Sequence, residues 1–134
     1  MRVHTLAFLA GLVLAAPVPA AMAGDLFVIC SAGVTLQSVE IRDVFIGEKA
    51  FAGSVKLVPA DNGAAQASFL EKVLKLDAAK YASLWTKKSF RDGAIPPTTK
   101  GTDAEVIAFV KSNPGACSYV SADPGAGANV VGKF

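Results

Sequence analysis

Histidine is almost missing from this sequence. The one histidine, His4, and both methionines lie in the first 23 residues. These residues have the pattern of a signal peptide and are expected to be removed. The rest of the chain then has no imidazole, which excludes Ser-His-Asp and Cys-His nucleophile systems and the usual zinc sites. No motif pairs two carboxylates either. We therefore expect no catalytic residue, no metal site and no cofactor, and we expect that the protein is not an enzyme.

No stretch of the chain is apolar over the roughly 20 residues that a membrane-spanning helix needs. The apolar segment 6–16 is shorter, follows a basic residue and ends at a proline. Ala21-Met22-Ala23 then has the small-x-small pattern of a signal-peptidase site, and no cysteine follows it that could carry a lipid anchor. We expect a signal peptide over residues 1–23, a mature domain over residues 24–134, and a periplasmic protein that is not inserted in the membrane.

Charge of one sign is not concentrated anywhere. The chain has 13 Lys and Arg residues and 11 Asp and Glu residues, without a long run of either sign. A nucleic-acid partner would require a basic stripe, so we expect no such partner. The predicted mature chain has a length suited to one domain with a real core and is too short for two.

Cysteine is scarce, and the two that occur are Cys30 and Cys117. They are not spaced as C-x-x-C, so a thioredoxin-type redox pair is not indicated. An exported protein meets an oxidising compartment, in which disulfides persist. On the compartment alone we favour a disulfide between the two cysteines, with buried free thiols or a reactive thiol as the alternatives.

Apolar periodicity predicts the first two elements of the mature chain. Residues 26–30 form a continuous apolar run of strand length, which is typical of a strand covered on both faces. Ile41, Val44 and Phe45 have the i, i+3, i+4 spacing of one buried helix face, and Gly47 ends that helix.

Three further helices are predicted after a second strand over residues 54–59. The first follows the turn after that strand and has an apolar stripe. Asp77 caps the next helix and Gly93 ends it, and Thr102-x-x-Glu105 forms a capping box for the last. A third strand is predicted over residues 117–120, and the final "GANVVGKF" is expected either to add a short edge strand or to fray. The inner faces of the three helices carry Phe69, Leu70, Val73 and Leu74; Tyr81, Leu84 and Trp85; and Val106, Phe109 and Val110.

This order of elements predicts an α/β fold, with a small mixed sheet flanked by about four helices in one domain. Five aromatic residues recur at helical spacing, and such a stripe is far more often part of a core than of a cofactor site. We expect these five in a single core: Phe45, Phe69, Tyr81, Trp85 and Phe109.

Several segments, among them "IRDVFIGEKAF", "FRDGAIPP" and "TDAEVIAFVKSNPGACSYV", give the chain a family likeness. The most specific pieces are Val44-Phe45-Ile46-Gly47 and Pro114-Gly115-Ala116 followed by Tyr119-Val120. Over residues 26–121 the chain resembles one lobe of the phosphate-type periplasmic substrate-binding proteins of ABC transporters, which have the type II binding-protein fold. The resemblance implies phosphate or another small oxyanion as the ligand.

The resemblance also has consequences for the length of the chain and for its cysteines. A full binding protein of this type closes two lobes on its ligand, and this chain is long enough for one. In such lobes the strand that enters and the strand that leaves are often neighbours, which would bring Cys30 and Cys117 together.

The stretch "VPADNGAAQASFLEKVL" contains the candidate binding site, because an apolar run turns there into a helix. The backbone N–H groups at the start of that helix would face an anion, and Asn62 and Gln66 add side-chain donors. The family has a hydroxyl residue and an arginine here, and both are absent. The alternative is that Asp61 or Asn62 only caps the helix and Gly63 turns the corner. The predicted anion site consists of Asn62, Gly63, Ala64, Ala65 and Gln66.

Two functions therefore follow from the sequence as expectations. The first is a periplasmic, single-lobe protein like the substrate-binding proteins of ABC transporters, with weak or partner-assisted binding of phosphate or another oxyanion. The alternative is an interaction protein outside transport, which keeps the lobe as a scaffold and docks on another envelope protein. The carboxylates of Asp92, Asp103 and Glu105 are explained by a turn, a first helical turn and a capping box rather than by catalysis.

Overall fold

The computed structural model describes residues 24–134, and the predicted signal peptide lies outside the described residues. In this part of the chain a 3-10 turn at Ser38–Glu40 precedes the first helix, and a π-helical turn at Leu70–Leu74 continues the second. The helices are α1 (Ile41–Phe45), α2 (Gln66–Phe69), α3 (Ala78–Asp92) and α4 (Asp103–Ser112). The strands are β1 (Phe27–Cys30), β2 (Phe51–Ala52), β3 (Val55–Lys56), β4 (Val58–Asn62), β5 (Thr98–Lys100), β6 (Ala116–Val120) and β7 (Asn129–Lys133).

Five of these strands form one mixed sheet in the order β5-β4-β6-β1-β7, and β2 pairs with β3 in a separate hairpin. Strand β4 runs parallel to both β5 and β6, whereas β1 runs antiparallel to both β6 and β7. Parallel strands need a connection that crosses over the sheet, and the helices provide it. The fold is therefore α/β with a small mixed sheet and four helices, as the sequence predicts.

The two cysteines meet at the centre of this sheet. Strand β1 lies between β6 and β7, and its register with β6 places Cys30 opposite Cys117. Their sulfurs form a disulfide that joins positions 87 residues apart. The predicted disulfide is confirmed, as is the prediction of a covered central strand, because Val28, Ile29 and Cys30 are all buried.

The ends of α1 and α3 follow the predicted signals. Gly47 follows α1 with φ of 77°, and a Cβ there would lie 2.9 Å from the ring of Trp85. Glycine thus serves both the left-handed backbone and the close approach of the ring. Asp77 caps α3 by accepting from the N–H of Lys80 at 2.7 Å, and Gly93 ends it in the left-handed conformation.

The predicted second strand is partly wrong. Residues 54–59 do not form one strand, because β3 ends at Lys56 in the hairpin and β4 runs on from Val58 to Asn62. Strands β2 and β5 are not predicted from the sequence. These strands have two and three residues, too few for an alternating pattern to be visible.

The capping box of α4 is half formed. Thr102 Oγ1 accepts from the N–H of Glu105 at 3.2 Å, as predicted. The Glu105 carboxylate, however, accepts from the N–H of Gly101 at 2.8 Å rather than from that of Thr102. The carboxylate therefore holds the loop before the cap.

The core has two parts, on opposite faces of the sheet. Phe45, Phe69, Tyr81 and Trp85 belong to the larger cluster, which packs between the sheet and the first three helices. Phe109 packs against a smaller cluster under α4, is only partly buried, and lies 4.7 Å from Lys100 Nζ. The prediction of one core with five aromatics is thus correct for four of them. Within residues 24–134, no helix has the length and apolar character required to cross a bilayer.

Candidate functional site

The predicted anion turn is built around internal hydrogen bonds. The N–H of Gly63 donates to the carbonyl of Lys100 at 2.7 Å, which ties the turn to β5. The N–H of Ala64 donates to Asn62 Oδ1, and that of Ala65 donates to the carbonyl of Asn62, both at 3.0 Å. Three of the five predicted amides therefore already have acceptors within the protein. Oxyanion binding at this turn stays a prediction.

Asn62 shapes the turn from the inside. Its side chain is fully buried, and Nδ2 donates to Asp103 Oδ1 at 2.7 Å and to the carbonyl of Tyr119 at 2.9 Å. Its Oδ1 accepts from Ala64 in an Asx turn. The alternative that Asp61 or Asn62 caps the helix is not what the structure has, because Ala65 occupies the cap position of α2 without a side-chain cap. Instead, the Asx turn at Asn62 changes the direction of the chain before α2 begins.

Asp61 is a residue in this region whose importance no local sequence pattern indicates. It lies near the carboxyl end of β4 and is only 3% exposed. Its Oδ2 accepts from the hydroxyl of Tyr81 on α3, and its Oδ1 accepts from the hydroxyl of Tyr119 on β6, both at 2.9 Å. The two tyrosines thus hold the carboxylate between a helix and the sheet.

The electrostatics of Asp61 follow from its burial. Removal from water raises the pKa of Asp61 above its ordinary value, and the hydrogen bonds from Tyr81 and Tyr119 only partly offset that rise. Burial, together with the negative charge of Asp61, raises the pKa of both tyrosines well above their ordinary range. No lysine or arginine of the described chain forms an ion pair with Asp61.

A cleft of about 420 Å³ opens beside Asp61, between α3 and the connection that leads into β5. We call it the Asp61 cleft. It lies near the carboxyl end of β4 and runs along β5; the carboxyl ends of strands form the edge at which open α/β sheets bind their ligands. No lysine or arginine is among the described residues that line it. The lining residues are Asp61, Gln66, Tyr81, Ala82, Trp85, Thr86, Ser89, Phe90, Pro96, Pro97 and Thr99.

The end of α3 and the connection that leads from it to β5 each carry an exposed apolar side chain. Phe90 is 89% exposed at the rim of the Asp61 cleft. Ile95 is 87% exposed and lines a second cleft of about 480 Å³, which shares Trp85 and Pro96 with the first. Two large apolar side chains are thus open to water within one short segment.

The structure brings some of the predicted site together and separates the rest. Gln66 is the one predicted anion-site residue that lines the cleft, where it joins Asp61 and Thr99. Among residues 24–134, no three His, Cys, Asp or Glu side chains are grouped so that they could hold a metal ion. No protein-family model and no curated protein matches the chain. The likeness to phosphate-type binding proteins therefore rests on the sequence segments themselves.

Proposed function

We propose that the protein is an exported ligand-binding lobe, similar to one lobe of the phosphate-type periplasmic substrate-binding proteins, and that its ligand binds in the Asp61 cleft. The observation that carries this proposal is the position of the cleft. It lies beside the carboxyl end of β4, along the parallel neighbour β5 and next to the turn into α2, where an α/β lobe presents ligand-binding groups.

The construction of the cleft supports a binding role. Its volume of about 420 Å³ lies within the usual range of small-molecule sites. Rigid elements hold its walls: Trp85 Nε1 donates to the carbonyl of Phe45 at 3.1 Å, and the Gly63 N–H ties the turn to β5. Ser89, Thr86 and Thr99 add hydroxyl groups to this apolar frame. A lobe that is preorganised in this way loses little entropy when a ligand binds.

An oxyanion is the ligand that the family resemblance implies, and this lobe would hold it weakly. Gln66 and the Thr99 hydroxyl can donate to it. The hydroxyls of Thr86 and Ser89 already donate to backbone carbonyls, and the amides of Gly63, Ala64 and Ala65 already have internal acceptors. The lining has no arginine to make a charge-assisted bidentate contact. A partner protein that covers the open side would then be needed for tight binding.

Nuclear magnetic resonance (NMR) tests this proposal on the ¹⁵N-labelled protein. Phosphate, sulfate and a panel of small organic ions would be added in turn, while the backbone amide signals are followed. Binding in the cleft should shift the signals of Gln66, Ser89 and Thr99 together, and leave those of a remote control such as Asp123 unchanged. A panel that shifts none of the cleft signals at millimolar concentration would overturn the proposal.

The second candidate is an interaction scaffold that docks on an envelope protein. It is favoured by one specific observation: Phe90, near the end of α3, and Ile95, in the connection that follows, are both exposed. If this surface docks a partner, Ile95→Asp should abolish a defined complex isolated from the periplasm, and Val39→Asp, at an exposed residue that lines neither cleft, should leave it intact. A complex that is insensitive to Ile95→Asp would exclude this surface.

A further inference from the structure

We propose that the Asp61 cleft selects an organic ammonium ion, a ligand opposite in charge to the oxyanion that the family resemblance implies. This inference rests on the proposed function, because it assigns a ligand class to the same cleft. Three features of the cleft support it: a buried carboxylate without a cationic partner, free acceptor capacity on that carboxylate, and aromatic side chains around it.

The first feature is the missing cation. A carboxylate that is 3% exposed is usually paired with a positive charge or bound to a metal, since transfer of an isolated charge from water is very unfavourable. Among residues 24–134 the ion pairs of lysine and arginine go to Glu40, Glu48, Asp92 and Asp25, and none goes to Asp61. Asp61 is among the residues that line the cleft, so a cation bound there would lie beside it.

The second feature is unused hydrogen-bonding capacity. An ionised carboxylate offers about four acceptor sites, two on each oxygen. Asp61 Oδ1 accepts from Tyr119 and Oδ2 accepts from Tyr81, so each oxygen is engaged once. Both bonds are donated to Asp61, which holds it as an acceptor rather than as a donor. An ammonium group, which has only donors, complements the sites that remain.

The third feature is the aromatic surroundings of the carboxylate. Tyr81 and Trp85 line the cleft as buried walls, and Phe90 stands at its exposed rim. The faces of aromatic rings attract ammonium groups, most strongly where water is excluded. A phosphate or sulfate ion finds no cationic counterpart here, because the described lining has no lysine or arginine. The combination favours a compact amine with an apolar part.

A purely structural role for Asp61 is the competing explanation. In that case the carboxylate only joins Tyr81 on α3 to Tyr119 on β6, and the cleft has no preference for charge. The two explanations differ in what charge does to binding. A structural Asp61 predicts equal affinity for ligands of one shape and different charge, whereas a binding Asp61 predicts a ranking by charge.

Three probes of similar shape measure that ranking: benzylammonium, benzyl alcohol and benzoate, with inorganic phosphate as a fourth. Each would be titrated near pH 7.5 into the ¹⁵N-labelled protein, with the Gln66, Ser89 and Thr99 amides as reporters. A charge-assisted hydrogen bond corresponds to roughly ten- to hundred-fold in affinity. We therefore expect benzylammonium to bind at least tenfold more tightly than benzyl alcohol, and benzoate and phosphate to bind most weakly.

Variants connect the ranking to Asp61 itself. Asp61→Asn keeps the size of the side chain and removes its charge, so the preference for benzylammonium over benzyl alcohol should disappear. Asp123→Asn makes the same change at an exposed residue outside the cleft and should preserve it. Phe90→Ala leaves the core untouched and should weaken benzylammonium several-fold, which keeps the test valid if Asp61→Asn does not fold.

The outcomes separate this inference from the proposed function. Cleft signals that respond to phosphate or benzoate more strongly than to benzylammonium would overturn the ammonium ion and retain the binding lobe. Equal affinity for benzylammonium and benzyl alcohol would also overturn it. A cleft that responds to none of the probes would overturn both. The predicted ranking, lost in Asp61→Asn and retained in Asp123→Asn, would support both.

Discussion

Two carboxylates near the carboxyl end of β4 are held in opposite ways. Asp103, at the start of α4, accepts from Asn62 Nδ2, from the N–H and hydroxyl of Ser121, and from the N–H of Ala122, at distances between 2.7 and 3.2 Å. Asp61 is more deeply buried and accepts only from the hydroxyls of Tyr81 and Tyr119. One carboxylate has several neutral donors and a helix start, and the other has two donors and a cleft.

The difference indicates which carboxylate serves the fold and which is available for a ligand. The first turn of a helix favours negative charge, and donors from two segments saturate Asp103. Asp61 has neither a helix terminus nor a cation, and burial raises its pKa. A group that is destabilised in its charged form by the fold, and that borders a cleft, is a candidate for function. Four substitutions test this contrast.

The largest effect is expected from Phe69→Ala. This substitution removes the ring that packs on Tyr119, one of the two tyrosines that donate to Asp61. The Phe69 ring is fully buried and stacks on Tyr119 with the ring centroids 3.9 Å apart. Truncation of such a ring lowers the free energy of unfolding by about 3–5 kcal/mol. Chemical denaturation would measure it, with Phe90→Ala as an exposed control that should change stability by less than about 0.5 kcal/mol. Equal losses in the two variants would show that this helix does not pack as described.

The next effect is expected from Asp103→Ala, which breaks the structural carboxylate. It leaves the fully buried Asn62 Nδ2 with one donor unsatisfied and frees the donors of Ser121 and Ala122. An unsatisfied buried donor and a lost charged acceptor together correspond to about 2–3 kcal/mol. Asp103→Asn keeps an acceptor oxygen and should lose less. If both variants match the original protein in chemical denaturation, Asp103 does not hold the turn in place.

Much of the fold could be predicted because its signals are local. The apolar run of β1, the cap at Asp77 and the glycines after α1 and α3 each act within a few residues. The end of β4 could not, because Pro59, Asp61 and Asn62 are typical of a loop. The strand continues through them because their side chains have partners far along the sequence, such as Tyr119, 58 residues from Asp61.

The candidate site could be predicted only in part for the same reason. The turn into α2 is visible in the sequence as a change of pattern, which predicts the site at that turn. The hydrogen bond of the Gly63 amide depends on Lys100, which reaches Gly63 only because β5 pairs with β4. The importance of Asp61 depends on Tyr81 and Tyr119, 20 and 58 residues away, and on the absence of a nearby cation among the described residues. No periodicity encodes such an absence.

A smaller effect, with a definite sign, is expected for the pH dependence of stability. Burial raises the pKa of Asp61 in the folded protein above that of the unfolded chain, which is about 3.9. Between the two pKa values the folded protein retains a proton that the unfolded chain has lost. The stabilisation of the folded state by protonated Asp61 is therefore fully present below the unfolded pKa. It is lost as the pH rises through the folded pKa.

Asp61→Asn removes this titration. The stability of the variant relative to the original protein should therefore rise between pH 4 and pH 7, by about 1.4 kcal/mol for each tenfold difference between the two acid dissociation constants. Denaturation curves at several pH values would measure it, with Asp123→Asn as the control. A relative stability of Asp61→Asn that stays constant or falls over this interval would contradict the raised pKa.

The smallest change in the free energy of unfolding is expected from Gln66→Arg, which supplies the cation that Asp61 lacks. Gln66 is half-buried and lines the same cleft as Asp61, so we expect the introduced guanidinium to approach the carboxylate and stability to change by about 1 kcal/mol or less. The new positive charge should lower the pKa of Asp61 and thereby flatten the pH dependence of stability.

Gln66→Arg should also exchange the ligand preference, so that phosphate binds roughly ten- to hundred-fold more tightly and benzylammonium binds more weakly. Gln66→Met, of similar length and without charge, is the matched control and should alter neither preference. If Gln66→Arg brings no gain for phosphate or sulfate, the turn from Asn62 to Gln66 serves only to change the direction of the chain, and the contrast between the two carboxylates is then carried by Asp61 alone.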